Sequence, residues 1–141
     1  MQITVSTVSL TVDDVTASQQ FFTTCLGYKE IAAADGFASL TRGGAAVDIV
    51  LLRRGTEVLP AGQRDRHASG VVLAFTVAGI EEEERRLREQ GADITLPLRQ
   101  EPWGEWRLQV TDPNGVVVQL VEWATPAGAD GGRPADQRIA D

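Results

Sequence analysis

The same order of predicted secondary structure occurs twice in this chain, and this repeat restricts the possible folds more than any other feature. A β-rich segment, VSLTV at 8–12, opens the first half, and LAFTV at 73–77 occupies the same place in the second. Each is followed by a helical pattern that stops at a glycine, Gly27 or Gly91, and then by three short strand candidates. The chain is therefore predicted to contain two βαβββ modules and to belong to the α+β class.

The predicted elements are bounded by turn and capping signals. Asp13 or Asp14 can cap the first helix, and Asp35-Gly36 is a turn between strands. The first module is predicted as a strand at 3–12, a helix at 15–26 and strands at 28–34, 37–42 and 46–53, and the second as a strand at 71–77, a helix at 80–90 and strands at 92–99, 105–111 and 115–123. We divide the chain into a first module (1–53), a linker loop (54–69), a second module (70–123) and a flexible tail (124–141), all within one structural domain.

Composition and charge exclude several classes of function. No apolar run approaches the ~20 residues needed to cross a bilayer, so no membrane partner is expected. The net charge of −7 argues against nucleic acid as a partner, because phosphate binding needs a basic surface. The single Cys25 excludes an internal disulfide and, in its helical pattern, favours a buried packing role. With an N-terminus unlike a signal peptide, these features predict a cytoplasmic protein.

The order of elements and two long segments carry a resemblance to a known family. With VSLTVDDVTASQQFFTTCLGY in its first half and PWGEWRLQVTDPNGVVVQLVE in its second, the chain resembles the vicinal oxygen chelate superfamily over about residues 3–123. That superfamily includes glyoxalase I, bleomycin-resistance proteins and extradiol dioxygenases. The resemblance implies that each module is a curved mixed sheet forming a half-barrel, that two modules enclose a cup, and that the protein is a module-swapped homodimer with cups shared between chains.

The resemblance also locates the positions at which enzymes of the superfamily hold a divalent metal. In this chain they correspond to Thr7, Asp48, Val72 and Gln119. Valine has no lone pair to donate, and threonine and glutamine are weak neutral ligands, whereas Zn, Fe and Mn are held by sets of His and carboxylates. We therefore expect no metal ligand, no cofactor and no catalytic residue. Asp48 could serve as a base in a metal-free enzyme, although a hydrogen-bonding role is the simpler interpretation.

The remaining side chains predicted to face the cup suit a ligand pocket, since such pockets are mostly apolar with a few polar groups. All three tryptophans lie within 101–123, and Pro102 and Gly104 place two of them in an irregular segment at the entrance, where planar ligands could stack. Alternation around Gln119 supplies further positions. The predicted ligand-binding residues are Thr7, Ser9, Phe37, Asp48, Val50, Val72, Trp103, Trp106, Arg107, Gln109, Gln119 and Trp123.

Three functions remain open from the residues. The leading hypothesis is a non-catalytic protein of the bleomycin-resistance type that sequesters a hydrophobic or polycyclic aromatic natural product and so gives antibiotic self-resistance. The alternative is an enzyme of the superfamily, metal-dependent or metal-free, acting as a lyase, isomerase or dioxygenase. The third is a structural or regulatory module without a small ligand. The only histidine, His67, is expected to be a solvent-exposed residue of the linker loop.

Overall fold

Two helices and eight strands form the part of the chain that the computed structural model describes, residues 1–124. The elements in chain order are β1 (Thr7–Val12), α1 (Val15–Leu26), β2 (Lys29–Ala34), β3 (Phe37–Thr41), β4 (Asp48–Arg53), β5 (Val72–Thr76), α2 (Ile80–Glu89), β6 (Asp93–Gln100), β7 (Glu105–Thr111) and β8 (Val117–Trp123). The predicted α+β class and the repeated βαβββ order are confirmed. The predicted tail lies outside the described residues except for Ala124.

The strands form two four-stranded sheets, ordered β1-β4-β3-β2 and β5-β8-β7-β6. In the first sheet β1 pairs with β4 in parallel, whereas β3 is antiparallel to both β4 and β2, so the sheet is mixed as predicted. The chain separates into two compact units, Met1–Val71 with Thr111–Val117, and Val72–Val110 with the residues from Val118 onward. Residues 54–69 form turns and bends. The dimer stays a prediction.

Strand β1 is shorter than predicted, because it starts at Thr7 and not at residue 3. Its ladder with β4 begins with the pair Thr7 and Asp48, and no residue upstream of Asp48 extends β4. Without a partner strand, Ile3 and Val5 remain exposed despite their β-branched side chains. Strand formation here follows the available pairing and not the local composition.

The core of the first unit is the contact between α1 and one face of the first sheet. Phe22 is fully buried and meets Tyr28 edge to face, with ring centroids 5.7 Å apart. Cys25 is buried in the same helix, as predicted. Asp14 caps the helix by accepting from the Ala17 N–H at 3.1 Å, and Gly27 ends it in the left-handed conformation with φ of 72°.

The turn at residues 112–115 belongs to the first unit and is fastened to α1 by polar side chains. Asp112 is buried, and its carboxylate accepts from the backbone N–H groups of Asn114 and Val116 at 2.9 and 2.8 Å and from the Ser18 hydroxyl. The Asn114 side chain donates to the Asp14 carbonyl and to Ser18 Oγ, both at 2.7 Å. The turn is therefore attached by side-chain hydrogen bonds to the N-terminal end of α1, and we call this contact the clasp.

In the second unit, α2 is amphipathic and buries only Ile80 and Leu87. Its capping residue Gly79 has no side chain, and the Glu122 carboxylate on β8 accepts from the Gly79 and Ile80 N–H groups at 2.9 and 3.1 Å. Glu84 binds the Leu98 N–H of β6 at 3.0 Å. A carboxylate at a helix N-terminus is favoured by the helix dipole, so Glu122 compensates for the missing cap. None of the helices within 1–124 is long and apolar enough to span a membrane.

Candidate functional site

The register of the first sheet brings five predicted site residues onto one face. Thr7 lies beside Asp48 and Ser9 beside Val50 across the β1–β4 pair. Phe37 lies opposite Leu52, two residues from Val50 and therefore on the same side of β4. The residues between them on β4, Ile49 and Leu51, are fully buried on the helix side. We call Thr7, Ser9, Phe37, Asp48 and Val50 the first-sheet face.

The one carboxylate of this face is already hydrogen-bonded within the sheet. Asp48 Oδ1 accepts from Thr41 Oγ1 at 2.8 Å, and the Asp48 side chain is half-buried. Tyr28 lies close by, but its ring is buried in the core and its hydroxyl donates to the Val47 carbonyl at 2.7 Å. Burial raises the Tyr28 pKa above 10.0, so its hydroxyl acts here as a neutral donor.

In the second unit, Gln119 is the centre of a polar group on adjacent strands. Its Oε1 accepts from Gln109 Nε2 at 2.8 Å and from Arg107 Nη1 at 3.3 Å. The neighbours of these residues along the strands, Leu108, Val110, Val118 and Leu120, are buried on the opposite side. We call Arg107, Gln109 and Gln119 the second-sheet face; it combines one cation with two amides.

Arg107 is held in place by acids at the start of β7. Its Nε lies 3.2 Å from Glu101 Oε1 and 4.0 Å from Glu105 Oε1, and Arg99 also binds Glu101. The Glu101 side chain is only 9% exposed. The hydrogen bond from Arg99, assisted by Arg107, holds the Glu101 pKa below its usual value of 4.5. Glu101 was not predicted from the sequence, because nothing in EPWGEWR distinguishes it from Glu105.

The three tryptophans do not share one face. Trp106 lies in regular strand, on the side of the buried Leu108 and Val110, because β7 begins at Glu105 and alternates from there. This differs from the expectation that Pro102 and Gly104 would make the segment irregular through Trp106. Trp103 lies in the turn before β7 and is 62% exposed, and Trp123 is half-buried at the end of β8, on the Gln119 side by alternation.

The metal implied by the resemblance does not fit the residues present. Val72 is 53% exposed and has no donor atom, and the Gln119 carbonyl oxygen is engaged by two N–H donors, one of them on a guanidinium. Within residues 1–124, no group of three or more His, Cys, Asp or Glu is arranged to hold a metal ion. A cation at Gln119 would displace its hydrogen bonds and meet the charge of Arg107, so this donor set does not support a metal-dependent step.

The linker loop packs against β1, which the sequence did not predict. The Ala68 N–H donates to the Thr11 carbonyl at 2.7 Å, and a cleft of about 480 Å³ lies between this segment and β1. His67 lines that cleft with its side chain 30% exposed and its Nε2 3.7 Å from Asp13 Oδ2. His67 is thus partly exposed to solvent and partly covered, and not fully exposed as expected. A polar loop of this composition contains no signal that it pairs with a strand edge.

Comparison with known proteins agrees with this architecture. The model of the Glyoxalase/Bleomycin resistance protein/Dioxygenase superfamily matches residues 4–120. A glyoxalase/bleomycin resistance protein/dioxygenase from Nocardioides is similar at 26% identity, with 95% of this chain and 91% of that chain covered and a TM-score of 0.69. TioX from Micromonospora sp. ML1 is similar at 21% identity, with 84% and 97% covered and a TM-score of 0.68. Comparison with curated proteins produced no match.

Proposed function

The chain belongs to the glyoxalase/bleomycin resistance protein/dioxygenase superfamily, and from that premise we propose that it binds a hydrophobic or polycyclic aromatic natural product without changing it chemically. The family name covers both enzymes and a drug-resistance protein, so the side chains at the site must distinguish them. The observation that carries the proposal is the amide cluster at Gln119. Its oxygen is bound by Gln109 and Arg107, at a position where the resemblance implies a metal-binding carboxylate.

The two faces support binding more than chemistry. The second-sheet face offers a guanidinium and amide groups, which can hydrogen-bond ligand oxygens or contact a planar ring. The first-sheet face, in the other unit, by itself offers two hydroxyls and apolar contact from Val50 and Phe37. Trp103 and Trp123 are the aromatic side chains we propose for stacking, because Trp106 faces the other side of β7.

Sequestration would give resistance by mass action alone. A protein that binds a drug tightly and reversibly lowers its free concentration, and each 1.4 kcal/mol of binding free energy is worth about tenfold in affinity. Such a role in antibiotic self-resistance requires the protein to meet the drug inside the cell, which agrees with the cytoplasmic location expected from the sequence. We include in the proposal a homodimer whose cups are shared between chains.

The enzyme alternative depends on a base or a metal. Asp48 is the only acid of the first-sheet face, and its Oδ1 is engaged by Thr41. A metal-free lyase or isomerase using Asp48 would lose turnover in the Asp48→Asn variant, whereas a binding protein would lose at most part of its affinity. Product formation that disappears in Asp48→Asn would replace our proposal by this alternative.

The proposal is tested by titrating the purified chain with bleomycin and with the anthracycline daunorubicin, using isothermal titration calorimetry. We expect saturation at one ligand per chain for at least one of them, with affinity unchanged by EDTA. Trp123→Leu should weaken that binding by up to about tenfold, the value of one aromatic contact. Trp106→Leu is the matched control on the opposite side and should bind as the wild type does. Absence of binding to both drugs, or equal losses in the two variants, contradicts the proposal.

A further inference from the structure

The cleft between β1 and the linker loop lies in the first unit, and hydrogen bonds hold the loop that forms one of its walls. Its volume of about 480 Å³ lies within the range of small-molecule sites. The loop is held by the bond from the Ala68 N–H to the Thr11 carbonyl and by one from the Gly55 N–H to the Arg64 carbonyl, both 2.7 Å. The Arg64 guanidinium binds the Leu59 and Glu57 carbonyls at 2.8 and 3.0 Å. The loop is thus ordered by its own hydrogen bonds.

The charge of the cleft differs from that of the chain. The protein has 20 acidic and 13 basic residues, yet among residues 1–124 no acid lines the cleft, whereas Arg66 and His67 do. Asp13, whose Oδ2 lies 3.7 Å from His67 Nε2, forms an ion pair with Arg54 at 2.9 Å. In a chain of net charge −7, a cleft whose described lining is basic and neutral favours an anion.

Arg66 differs from every other arginine within residues 1–124. Two of the others bind backbone carbonyls, Arg42 and Arg64. Seven bind carboxylates: Arg53, Arg54, Arg85, Arg86, Arg88, Arg99 and Arg107. In this part of the chain, the Arg66 guanidinium has neither kind of partner. An arginine fork of this kind is suited to bind a carboxylate through two parallel hydrogen bonds.

We propose that this cleft binds a small organic carboxylate with an apolar body. Arg66 pairs with the carboxylate, and Gln63 and the Ser9 hydroxyl supply hydrogen bonds at the cleft wall. The apolar body lies against Val8 and Val71, which also line the cleft. The site lies within one compact unit; it shares Ser9 with the first-sheet face, whereas Arg107 and Trp123 of the proposed drug-binding site belong to the other unit.

The test uses 1-naphthoate as the probe and 1-naphthamide as its neutral counterpart, with binding followed by ¹H–¹⁵N NMR on the full chain. We expect naphthoate to bind at least about tenfold more tightly than naphthamide, as one charge-assisted contact requires. Shifts should centre on residues 8–11 and 63–71. Arg66→Gln should abolish this preference, whereas Arg88→Gln, an equal change of charge on α2, should retain it.

Several results would overturn the proposal. They are equal affinity for the amide, an Arg66→Gln variant that binds naphthoate as the wild type does, or shifts outside the cleft. Inorganic phosphate that binds at Arg66 as tightly as naphthoate overturns the apolar part of the assignment. Since the Arg66 guanidinium has no partner within residues 1–124, its substitution leaves the fold intact, which an unchanged melting temperature would verify. If the Arg107→Gln variant loses drug binding but still binds naphthoate, the drug-binding proposal and the cleft proposal are tested separately.

Discussion

Gln119 accepts two hydrogen bonds through one oxygen, from Gln109 Nε2 at 2.8 Å and from Arg107 Nη1 at 3.3 Å. An amide can do this while remaining neutral, so it adds no further negative charge beside Arg107, which already pairs with Glu101. A carboxylate at the same position would neutralise Arg107 and compete for it with Glu101. The identity of this residue therefore sets whether a further acid is added to those that already pair with Arg107.

The first prediction at the residue scale concerns Gln119→Leu. Removing the amide leaves two donors without their acceptor, and because the site is half-buried we expect a loss of about 1 kcal/mol in the free energy of unfolding. Gln100→Leu, at an exposed position of β6, should change it by less than about 0.5 kcal/mol. Urea denaturation measures both. Equal stability of the two variants would show that the amide cluster contributes nothing.

The second prediction uses the lowered pKa of Glu101. Its folded-state pKa lies below the usual 4.5, since Arg99 and Arg107 favour the ionised form. The resulting stabilisation is present above the unfolded-state pKa and is lost as the pH falls through the folded-state pKa. We expect the melting temperature of Glu101→Gln to depend less on pH below about 4.5 than that of the wild type. Identical pH profiles in circular dichroism melts would refute the ion-pair assignment.

At the scale of elements, the turn at 112–115 is an anchor for α1 and not only a connection between strands. Asp112→Ala would leave two backbone N–H groups and the Ser18 hydroxyl without a buried acceptor, so we expect a loss of about 2–4 kcal/mol. Asp112→Asn keeps one acceptor oxygen and should lose less. Asp93→Ala, at an exposed position, is the control. A loss in Asp112→Ala no larger than in the control, measured by chemical denaturation, would contradict the clasp.

The elements themselves were largely predictable from local signals. Helix α1 has the predicted bounds because Asp14 supplies the cap and Gly27 the left-handed stop. The start of β1 was not predictable, because it depends on where β4 begins. The face of Trp106 was also missed: Pro102 and Gly104 suggested irregular backbone, but β7 is regular from Glu105. The first and last residues of a strand, and the face on which each side chain lies, depend on the neighbouring strands with which it pairs. The sequence of the strand alone does not determine them.

For the whole molecule, the repeat and the family positions predicted the fold and placed Thr7, Ser9, Asp48 and Val50 on one sheet face. The cleft with Arg66 and His67 could not be predicted, because it depends on a loop that packs against the edge of β1. Its polar composition resembles that of a solvated loop. Periodicity and turn rules do not reveal contacts between segments distant in sequence, and here such contacts place the Arg66 guanidinium at the cleft.

The oligomeric state is a prediction at the same scale. If cups are shared between chains, the protein in solution should have about twice the mass of one chain, 15.2 kDa. Sedimentation equilibrium across a range of protein concentrations measures this mass directly. A single species with the mass of one chain, under conditions in which the protein still binds its ligand, would contradict the shared cup.

The central claim is binding without chemistry at a site that holds no metal. Its most direct test is to incubate EDTA-treated protein with a stoichiometric amount of the drug that it binds, release the drug by denaturation and measure its mass by mass spectrometry. We predict that the drug is recovered quantitatively with its mass unchanged, with or without added Zn²⁺ or Mn²⁺. A product of altered mass, formed by the wild type and dependent on added metal, would contradict the claim.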